Sequence, residues 1–262
     1  MSRLAGMFQS CRAGRRAALV GYLPAGFPSV DGSAAMLRAM LDTGCDLVEV
    51  GIPYSDPVMD GPTIQAAATA ALREGFRLRD VFSVVESIAT AGGRTVIMTY
   101  WNPVHHYGVG AFARDLAAAG GLGVITPDLV PDEAGDWLAA ADANDLDRIF
   151  LVAPSSTPAR IATAAAASRG FLYAASTMGV TGARDAVSDA ASDLVGRVRE
   201  QTSLPIGVGL GVRSGAQAAE VAAFADAVIV GSAFVTAAGE GEPAVRKLST
   251  ELAAGVRRGF AS

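Results

Sequence analysis

Short apolar runs, each followed by an alanine-rich segment with helical spacing, recur along the whole chain. The runs are continuous rather than alternating, which is typical of parallel strands that helices cover. Eight such repeats in about 250 residues predict an α/β fold, a closed (β/α)₈ TIM barrel. The predicted strands are Ala17–Leu23, Leu47–Gly51, Thr95–Tyr100, Leu122–Thr126, Arg148–Ala153, Phe171–Ala175, Pro205–Gly209 and Ala227–Gly231.

Helix signals lie between the predicted strands. Ser29 precedes the helical segment Val30–Thr43, and Thr157 provides an N-cap before a proline at the first helical position. The segment before Ala17 is predicted to form an extra N-terminal helix that closes the base of the barrel. An open doubly wound sheet is the alternative, but it favours a GxGxxG turn where this chain has PAGFPS. We therefore expect one TIM-barrel domain over residues 1–262.

Composition narrows the class of protein. The chain is 51% hydrophobic with a formal net charge of −5 and has no run of basic residues, which argues against a nucleic-acid surface. Glycine or proline interrupts every apolar stretch too early for a membrane span, and the N-terminus lacks the pattern of a secretion signal. Cys11 and Cys45 form no CxxC motif. The expectation is a soluble cytoplasmic protein.

Glu49 stands out because it is an acid inside the apolar run LVEVG. If Val48 and Val50 face the outer helices, then Leu47, Glu49 and Gly51 face the barrel axis. Glu49 would then lie near the C-terminal end of the second strand, where TIM barrels place their active sites. Burial there would raise its pKa and allow proton exchange near neutrality. The alternative is a structural glutamate paired with an arginine or with backbone groups.

The loop after this strand, IPYSDPVMDGPTIQ, contains two more acids and three prolines that stiffen it. Asp60 precedes Gly61-Pro62, so it is either a functional carboxylate or the N-cap of a helix that starts near Thr63. Asp56 is equally ambiguous between a turn residue and an exposed contact.

The run from Glu49 to Gln65 resembles the signature of the tryptophan synthase α subunit family. The resemblance continues through the following segments in the family's order: YWNP (Tyr100–Pro103), PDL (Pro127–Leu129), FLYAASTMGVTG (Phe171–Gly182), GLGV (Gly209–Val212) and VGSAFV (Val230–Val235). It implies a TIM barrel that cleaves indole-3-glycerol phosphate into indole and glyceraldehyde 3-phosphate. It also implies that Glu49 and Asp60 are the catalytic carboxylates. Tyr173 would bond the substrate hydroxyl or Glu49, or is simply a core aromatic.

The residues themselves limit how such a cleavage could proceed. Lys247 is the only lysine and falls in the predicted C-terminal helix, whereas a Schiff-base aldolase needs an amine at the mouth. His105 and His106 are the only histidines and are adjacent in one predicted loop, so a metal-ligand set is not suggested. We expect acid–base catalysis without a cofactor or a metal.

Substrate contacts follow from loop positions and from the resemblance. Glycine-containing loops after the seventh and eighth strands suit a phosphate held by backbone N–H groups and a short helix N-terminus. The phosphate residues implied are Gly182, Gly211, Gly231 and Ser232. The other substrate contacts implied are Tyr22, Tyr100, Leu129, Thr181 and Leu210. The connection Ser176–Ala186 is interpreted as a lid that excludes water, with Thr181 touching Asp60.

The resemblance also implies an α₂β₂ complex, in which indole passes to a PLP-dependent β subunit. The docking surface would comprise Pro53–Asp60, Asn102–Tyr107 and Asp128–Pro131. Docking would order the loop that bears Asp60 and so couple the two sites. Alternatives are a non-catalytic activator of the β subunit, or another phosphate-binding barrel such as indole-glycerol-phosphate synthase or a sugar-phosphate isomerase. The synthase should have a catalytic lysine, which is missing here.

Overall fold

The strands of the chain form one parallel barrel. A computed structural model describes residues 2–175, 184–209 and 211–259. Within these residues nine strand segments pair in parallel, in the order β5-β4-β3-β2-β1-β9-β8-β7-β6. The strands are β1 Ala18–Pro24, β2 Leu47–Gly51, β3 Thr95–Met98, β4 Gly123–Ile125, β5 Asp147–Ile149, β6 Leu151–Val152, β7 Leu172–Ala175, β8 Ile206–Gly209 and β9 Ala227–Val230.

The barrel closes because β5 and β6 are two halves of one predicted strand, Arg148–Ala153. Only Phe150 separates them, and its N–H donates to Ser168 Oγ (3.4 Å) rather than to a neighbouring strand. Its carbonyl still accepts from Tyr173 N–H (3.1 Å), so the ladder continues towards β7. The first strand, β1, pairs with both β2 and β9. The eight predicted strands therefore correspond to the eight sides of the barrel.

Helices surround the strands. They are α1 Ala5–Ala13, α2 Val30–Asp42, α3 Pro62–Arg73, α4 Asp80–Thr90, α5 Trp101–Tyr107, α6 Val109–Ala118, α7 Gly135–Ala143, α8 Pro158–Ala167, α9 Arg184–Arg199, α10 Gly215–Ala222, α11 Ser232–Glu240 and α12 Glu242–Gly259, with a 3₁₀ turn at Pro131–Glu133. Among the described residues, no helix combines the length and apolar character that a membrane span requires.

Side-chain N-caps begin two of these helices, as the sequence predicts. The Ser29 hydroxyl accepts from Gly32 N–H (3.0 Å) at the start of α2, and the Thr157 hydroxyl accepts from Arg160 N–H (3.3 Å) at the start of α8. The simple alternation of one strand and one helix is wrong after β2 and after β3, because two helices follow each of these strands. Two helices, α11 and α12, also follow β9, and α11 corresponds to the short extra helix that the sequence predicts there.

The third predicted strand ends earlier than expected. β3 stops at Met98, and Tyr100 is already the N-cap residue of α5, with φ −66° and ψ 156°. The Asp128 carboxylate accepts the N–H of Trp101 (2.9 Å), which satisfies a free amide of the first turn and so favours a helix here. His105 and His106 consequently lie on α5, not in a loop.

Two apolar layers hold the barrel. Val48 and Val50 belong to the outer layer between strands and helices, whereas Leu47 belongs to the inner layer. The predicted orientation of β2 is therefore correct. The N-terminal helix α1 closes the base of the barrel, as expected, and the ring of Phe8 packs against that of Phe171 with centroids 5.8 Å apart. The C-terminal ends of the strands lie at the opposite end of the barrel, where TIM barrels place their active sites.

Candidate active site

Glu49 is a buried acid near the C-terminal end of β2, on the inner face. Its side chain is 1% exposed, and neither carboxyl oxygen has a hydrogen-bond partner among the described residues. Burial in this apolar setting raises the pKa of the carboxyl from 4.5 to about 8. The alternative of a structural glutamate paired with an arginine is excluded within the described residues. Near neutral pH this carboxyl can both donate and accept a proton.

Two tyrosines lie beside Glu49 on the inner face of the barrel. Tyr22 on β1 is the ladder partner of Glu49, and its side chain lies over Gly51. Tyr173 on β7 lies in the same way over Gly209. A Cβ at either glycine would collide with the tyrosine hydroxyl, so each aromatic ring depends on a glycine in the neighbouring strand.

Burial is the main cause that raises the pKa of both the Tyr22 and the Tyr173 hydroxyl above its ordinary value. The pKa of Tyr173 lies well above its ordinary value because of burial and, second, the charge of Glu49. Both hydroxyls therefore remain protonated near neutrality and can act as hydrogen-bond donors.

Asp60 lies half-buried on the loop between β2 and α3. Burial raises its pKa, and a hydrogen bond from Tyr100 partly offsets the rise. The alternative in which Asp60 is the N-cap of α3 is excluded. Gly61 is the N-cap residue, without a side-chain cap, and Asp60 contributes only its carbonyl, which accepts from Gln65 Nε2 (2.8 Å). The Asp60 carboxylate is thus not used to start the helix.

Hydrogen bonds tie the loop after β2 to the segment after β3 at the mouth. The Tyr100 hydroxyl accepts from Met59 N–H (3.0 Å), next to Asp60. The Tyr100 ring packs against Tyr54, with centroids 5.3 Å apart, and the Tyr54 hydroxyl accepts from Asn102 Nδ2 (3.1 Å). The sequence had placed Tyr54 and Asn102 in docking segments without predicting that they bond to each other. No local pattern signals this contact, because it joins residues 48 positions apart.

Three of the four predicted phosphate residues, Gly211, Gly231 and Ser232, lie at the ends of β8 and β9. Gly211 has φ +67°, a conformation that favours glycine. Gly231 is the N-cap residue of α11 and Ser232 is its first residue, and no side chain caps this helix. The free amide groups of the first turn are suited to an anion. Ser232 also lines a cavity of about 500 Å³, together with Arg213 and Lys247.

Three predicted substrate residues are core side chains of the described structure. Tyr22, Tyr100 and Leu129 are 7%, 5% and 6% exposed. Leu129 also lines a cavity of about 170 Å³ between the loop after β4 and α8. Thr181, Gly182, Leu210 and most of the predicted lid lie outside the described residues. As predicted, Lys247 lies on the C-terminal helix, α12.

Comparisons of the sequence and of the structure with known proteins all find tryptophan synthase. The family model described as "Tryptophan synthase alpha chain" matches residues 8–258. The tryptophan synthase alpha chain of Mycobacterium tuberculosis is 66% identical over 261 residues, which span 100% of this chain and 97% of that one. The protein of the same name from Nocardia farcinica is 68% identical over 256 residues, 98% of this chain and 96% of the relative. A crystal structure of M. tuberculosis tryptophan synthase superposes with a TM-score of 0.93 at 66% identity, covering 98% of both chains.

Proposed function

Because this chain belongs to the tryptophan synthase alpha chain family, we propose that Glu49 and Asp60 are the two carboxylates that catalyse its reaction. The reaction is the retro-aldol cleavage of indole-3-glycerol phosphate into indole and glyceraldehyde 3-phosphate, a step of tryptophan biosynthesis.

One observation carries the proposal. Glu49 is a buried carboxyl at the mouth of the barrel, without a partner among the described residues and with a pKa raised to about 8. A carboxyl without a partner in an apolar setting is costly for a fold, so it is retained where chemistry uses it. A group that is protonated near neutrality suits a general acid that must return to its starting form in each turnover.

The cleavage needs a proton at C3 of the indole ring before the carbon–carbon bond can break. Glu49 donates this proton, which leaves a positive charge on the ring system. The glycerol hydroxyl next to the bond then loses its proton to the newly ionised Glu49, and its oxygen forms the aldehyde carbonyl. The electron pair of the breaking bond returns to the ring, so indole leaves as a neutral molecule. Glu49 ends the cycle protonated, as it began.

Asp60 has the complementary task. The positive charge that develops on the ring is carried largely at the ring N–H, and an ionised carboxylate there stabilises it. Two carboxyls in different surroundings can hold opposite protonation states, as this division requires. Tyr173, whose hydroxyl remains protonated beside Glu49, orients either the substrate hydroxyl or Glu49 itself.

The phosphate group is assigned to the ends of β8 and β9. Gly211, Gly231 and Ser232 offer backbone N–H groups, and the uncapped N-terminus of α11 adds a favourable dipole. Gly182 completes this set by resemblance. Tyr22, Tyr100, Leu129, Thr181 and Leu210 are proposed to surround the rest of the substrate, and Ser176–Ala186 is proposed to close over it.

The β subunit is proposed to dock on the loops around the mouth. Val58, Met59 and Val130 are the large apolar side chains that the described residues leave exposed, at 75%, 47% and 38%, and all three lie in the predicted docking segments. Val58 and Met59 are neighbours in the chain, and exposed apolar side chains that lie together are typical of interaction surfaces. The contacts from Asn102 through Tyr54 and Tyr100 to Met59 connect this surface to the residue before Asp60.

The decisive experiment measures indole release from indole-3-glycerol phosphate by the purified chain and by the Glu49→Gln variant. Glutamine has the same shape but cannot donate the proton, so we expect a loss of at least about 10²-fold in rate. Thermal unfolding of both proteins controls for misfolding. Near-normal activity of the variant would remove Glu49 from the mechanism.

Coupling to the β subunit is tested separately. Turnover by the isolated chain is compared with turnover by the complex at saturating β subunit. We expect the complex to be faster, because docking would order the loop that bears Asp60. Equal turnover would refute the coupling while leaving the catalytic assignment intact.

A further inference from the structure

The hydroxyl of Tyr22 occupies a position that substrate packing alone does not explain. Tyr22 faces the barrel axis from β1 and pairs in the ladder with Glu49 on β2. Its ring passes Gly231, with Cδ1 3.6 Å from the position of a Cβ there, and its hydroxyl lies over Gly51. Gly51 is two residues beyond Glu49 on the same face, about 7 Å nearer the mouth. The hydroxyl therefore lies nearer the mouth than Glu49, beside the last residue of β2, from which the loop that carries Asp60 begins.

The electrostatic setting of this hydroxyl is consistent with that position. The pKa of Tyr22 is raised well above its ordinary value by burial, then by the negative charge of Asp60, and then by that of Glu49. The residue is only 7% exposed, so little water competes for its proton. A phenylalanine would supply the same apolar ring to an indole pocket. The hydroxyl needs a separate explanation.

We propose that Tyr22 is a positioning residue whose hydroxyl donates a hydrogen bond to Asp60 and keeps that carboxylate ionised beside a neutral Glu49. The inference rests on the proposed function, because it presupposes that Asp60 is the ionised member of the catalytic pair.

The arrangement of strands supports this role. β1 and β3 flank β2, so Tyr22 approaches the loop after β2 from one side, while Tyr100, which follows β3, approaches from the other. Two carboxyls in one apolar mouth cannot both ionise at low cost, and hydrogen bonds to the charged form decide which one does. Glu49 accepts none from the described residues. Tyr100 already interacts with Asp60, and Tyr22 would supply a second donor.

The test compares pH profiles of kcat for the wild-type chain and the Tyr22→Phe variant, with indole release as the readout. The acidic limb of the profile should move to higher pH by about one unit, since a hydrogen bond to a charged group contributes about that much. The alkaline limb, which reports Glu49, should stay in place. The substrate phosphate also ionises in this pH range, but it does so identically with every variant. The measured quantity is therefore the difference in pH between the acidic limbs of the two profiles.

Thr95→Val is the matched control, because it removes a different buried hydroxyl that has no partner among the described residues, at the start of β3. Its profile should coincide with that of the wild type. A Tyr22→Phe variant that loses rate equally at every pH, or raises only KM, overturns the proposal and leaves Tyr22 as a packing residue. Activity of Glu49→Gln measured in parallel separates this failure from failure of the proposed function, which would appear as an active Glu49→Gln enzyme.

Discussion

Asp147, at the base of the barrel, and Glu49, at its mouth, are carboxylic acids with 0% and 1% exposure. Asp147 accepts hydrogen bonds from Ser2 Oγ (2.8 Å), Leu4 N–H (3.1 Å) and Arg169 Nε (2.8 Å). Glu49 has no partner among the described residues. Equal burial therefore has opposite consequences, since a charge is tolerated where donors surround it and suppressed where none do.

Two other carboxylates at the base of the barrel, Asp46 and Asp226, also accept hydrogen bonds. Asp46, directly before β2, bonds Arg16 with both oxygens and also accepts Leu19 N–H (2.9 Å). Asp226, directly before β9, accepts Ile206 N–H (3.0 Å). These carboxylates join neighbouring strands and hold the end that α1 closes. Carboxylates with partners therefore lie at the base, whereas the mouth contains a buried carboxyl without one among the described residues, and TIM-barrel enzymes place their active sites at the mouth.

The largest expected effect is the pH dependence of stability caused by Glu49. Below pH 4.5 the carboxyl is protonated in both the folded and the unfolded chain. Between pH 4.5 and about 8 it is protonated when folded and ionised when unfolded, so the free energy of unfolding falls as the pH rises. The decrease in the free energy of unfolding is complete above about pH 8 and amounts to about 4–5 kcal/mol.

Denaturant unfolding at pH 5 and pH 9 measures this effect. The wild-type chain should lose several kcal/mol relative to Glu49→Gln between these pH values. Glu220→Gln, which removes an exposed carboxylate from α10, should follow the wild type. If Glu49→Gln also follows the wild type, Glu49 is ionised in the folded protein and the comparison with Asp147 loses its basis.

A smaller effect is expected at the base. Asp147→Asn should lower the free energy of unfolding by about 3 kcal/mol, because it removes the acceptor of a buried, charge-assisted network. Asp145→Asn is the matched control, since Asp145 bonds the same arginine, Arg169, from a side chain that is 65% exposed. Its loss should stay below about 1 kcal/mol. Equal losses in the two variants would show that burial does not determine the strength of these pairs.

The smallest effect concerns the loops of the mouth. Tyr54→Phe removes the acceptor of the Asn102 hydrogen bond but keeps the ring against Tyr100. A neutral hydrogen bond contributes about 0.5–1.5 kcal/mol, so activation by the β subunit should decrease about two- to tenfold. The measurement is the ratio of turnover in the complex to turnover of the isolated chain. An unchanged ratio would show that the Asn102–Tyr54 contact carries no coupling.

The sequence predicted the architecture well, because the fold depends on local patterns. Apolar runs located all eight sides of the barrel, and the alternating direction of side chains along β2 predicted that Glu49 faces the barrel axis. Local patterns were ambiguous at Asp60. Its position before Gly61-Pro62 was compatible with an N-cap of α3, but Gly61 is the N-cap residue.

Contacts between distant residues could not be predicted. Arg169 meets Asp147 across 22 positions, and Asn102 meets Tyr54 across 48, only after the barrel has closed. The lack of a partner for Glu49 is equally a property of the closed barrel, since the sequence left open a partner anywhere in the chain. The roles of Thr181, Gly182 and Leu210 remain predictions from resemblance.

The protonation state of Glu49 is the central claim, and carbon-13 NMR titration of the glutamate side-chain carboxyls tests it most directly. The Glu49 signal is assigned as the one that Glu49→Gln removes. We expect a midpoint near 8 for that signal. A midpoint near the ordinary 4.5 would contradict it, because the carboxyl would then be ionised in the resting site.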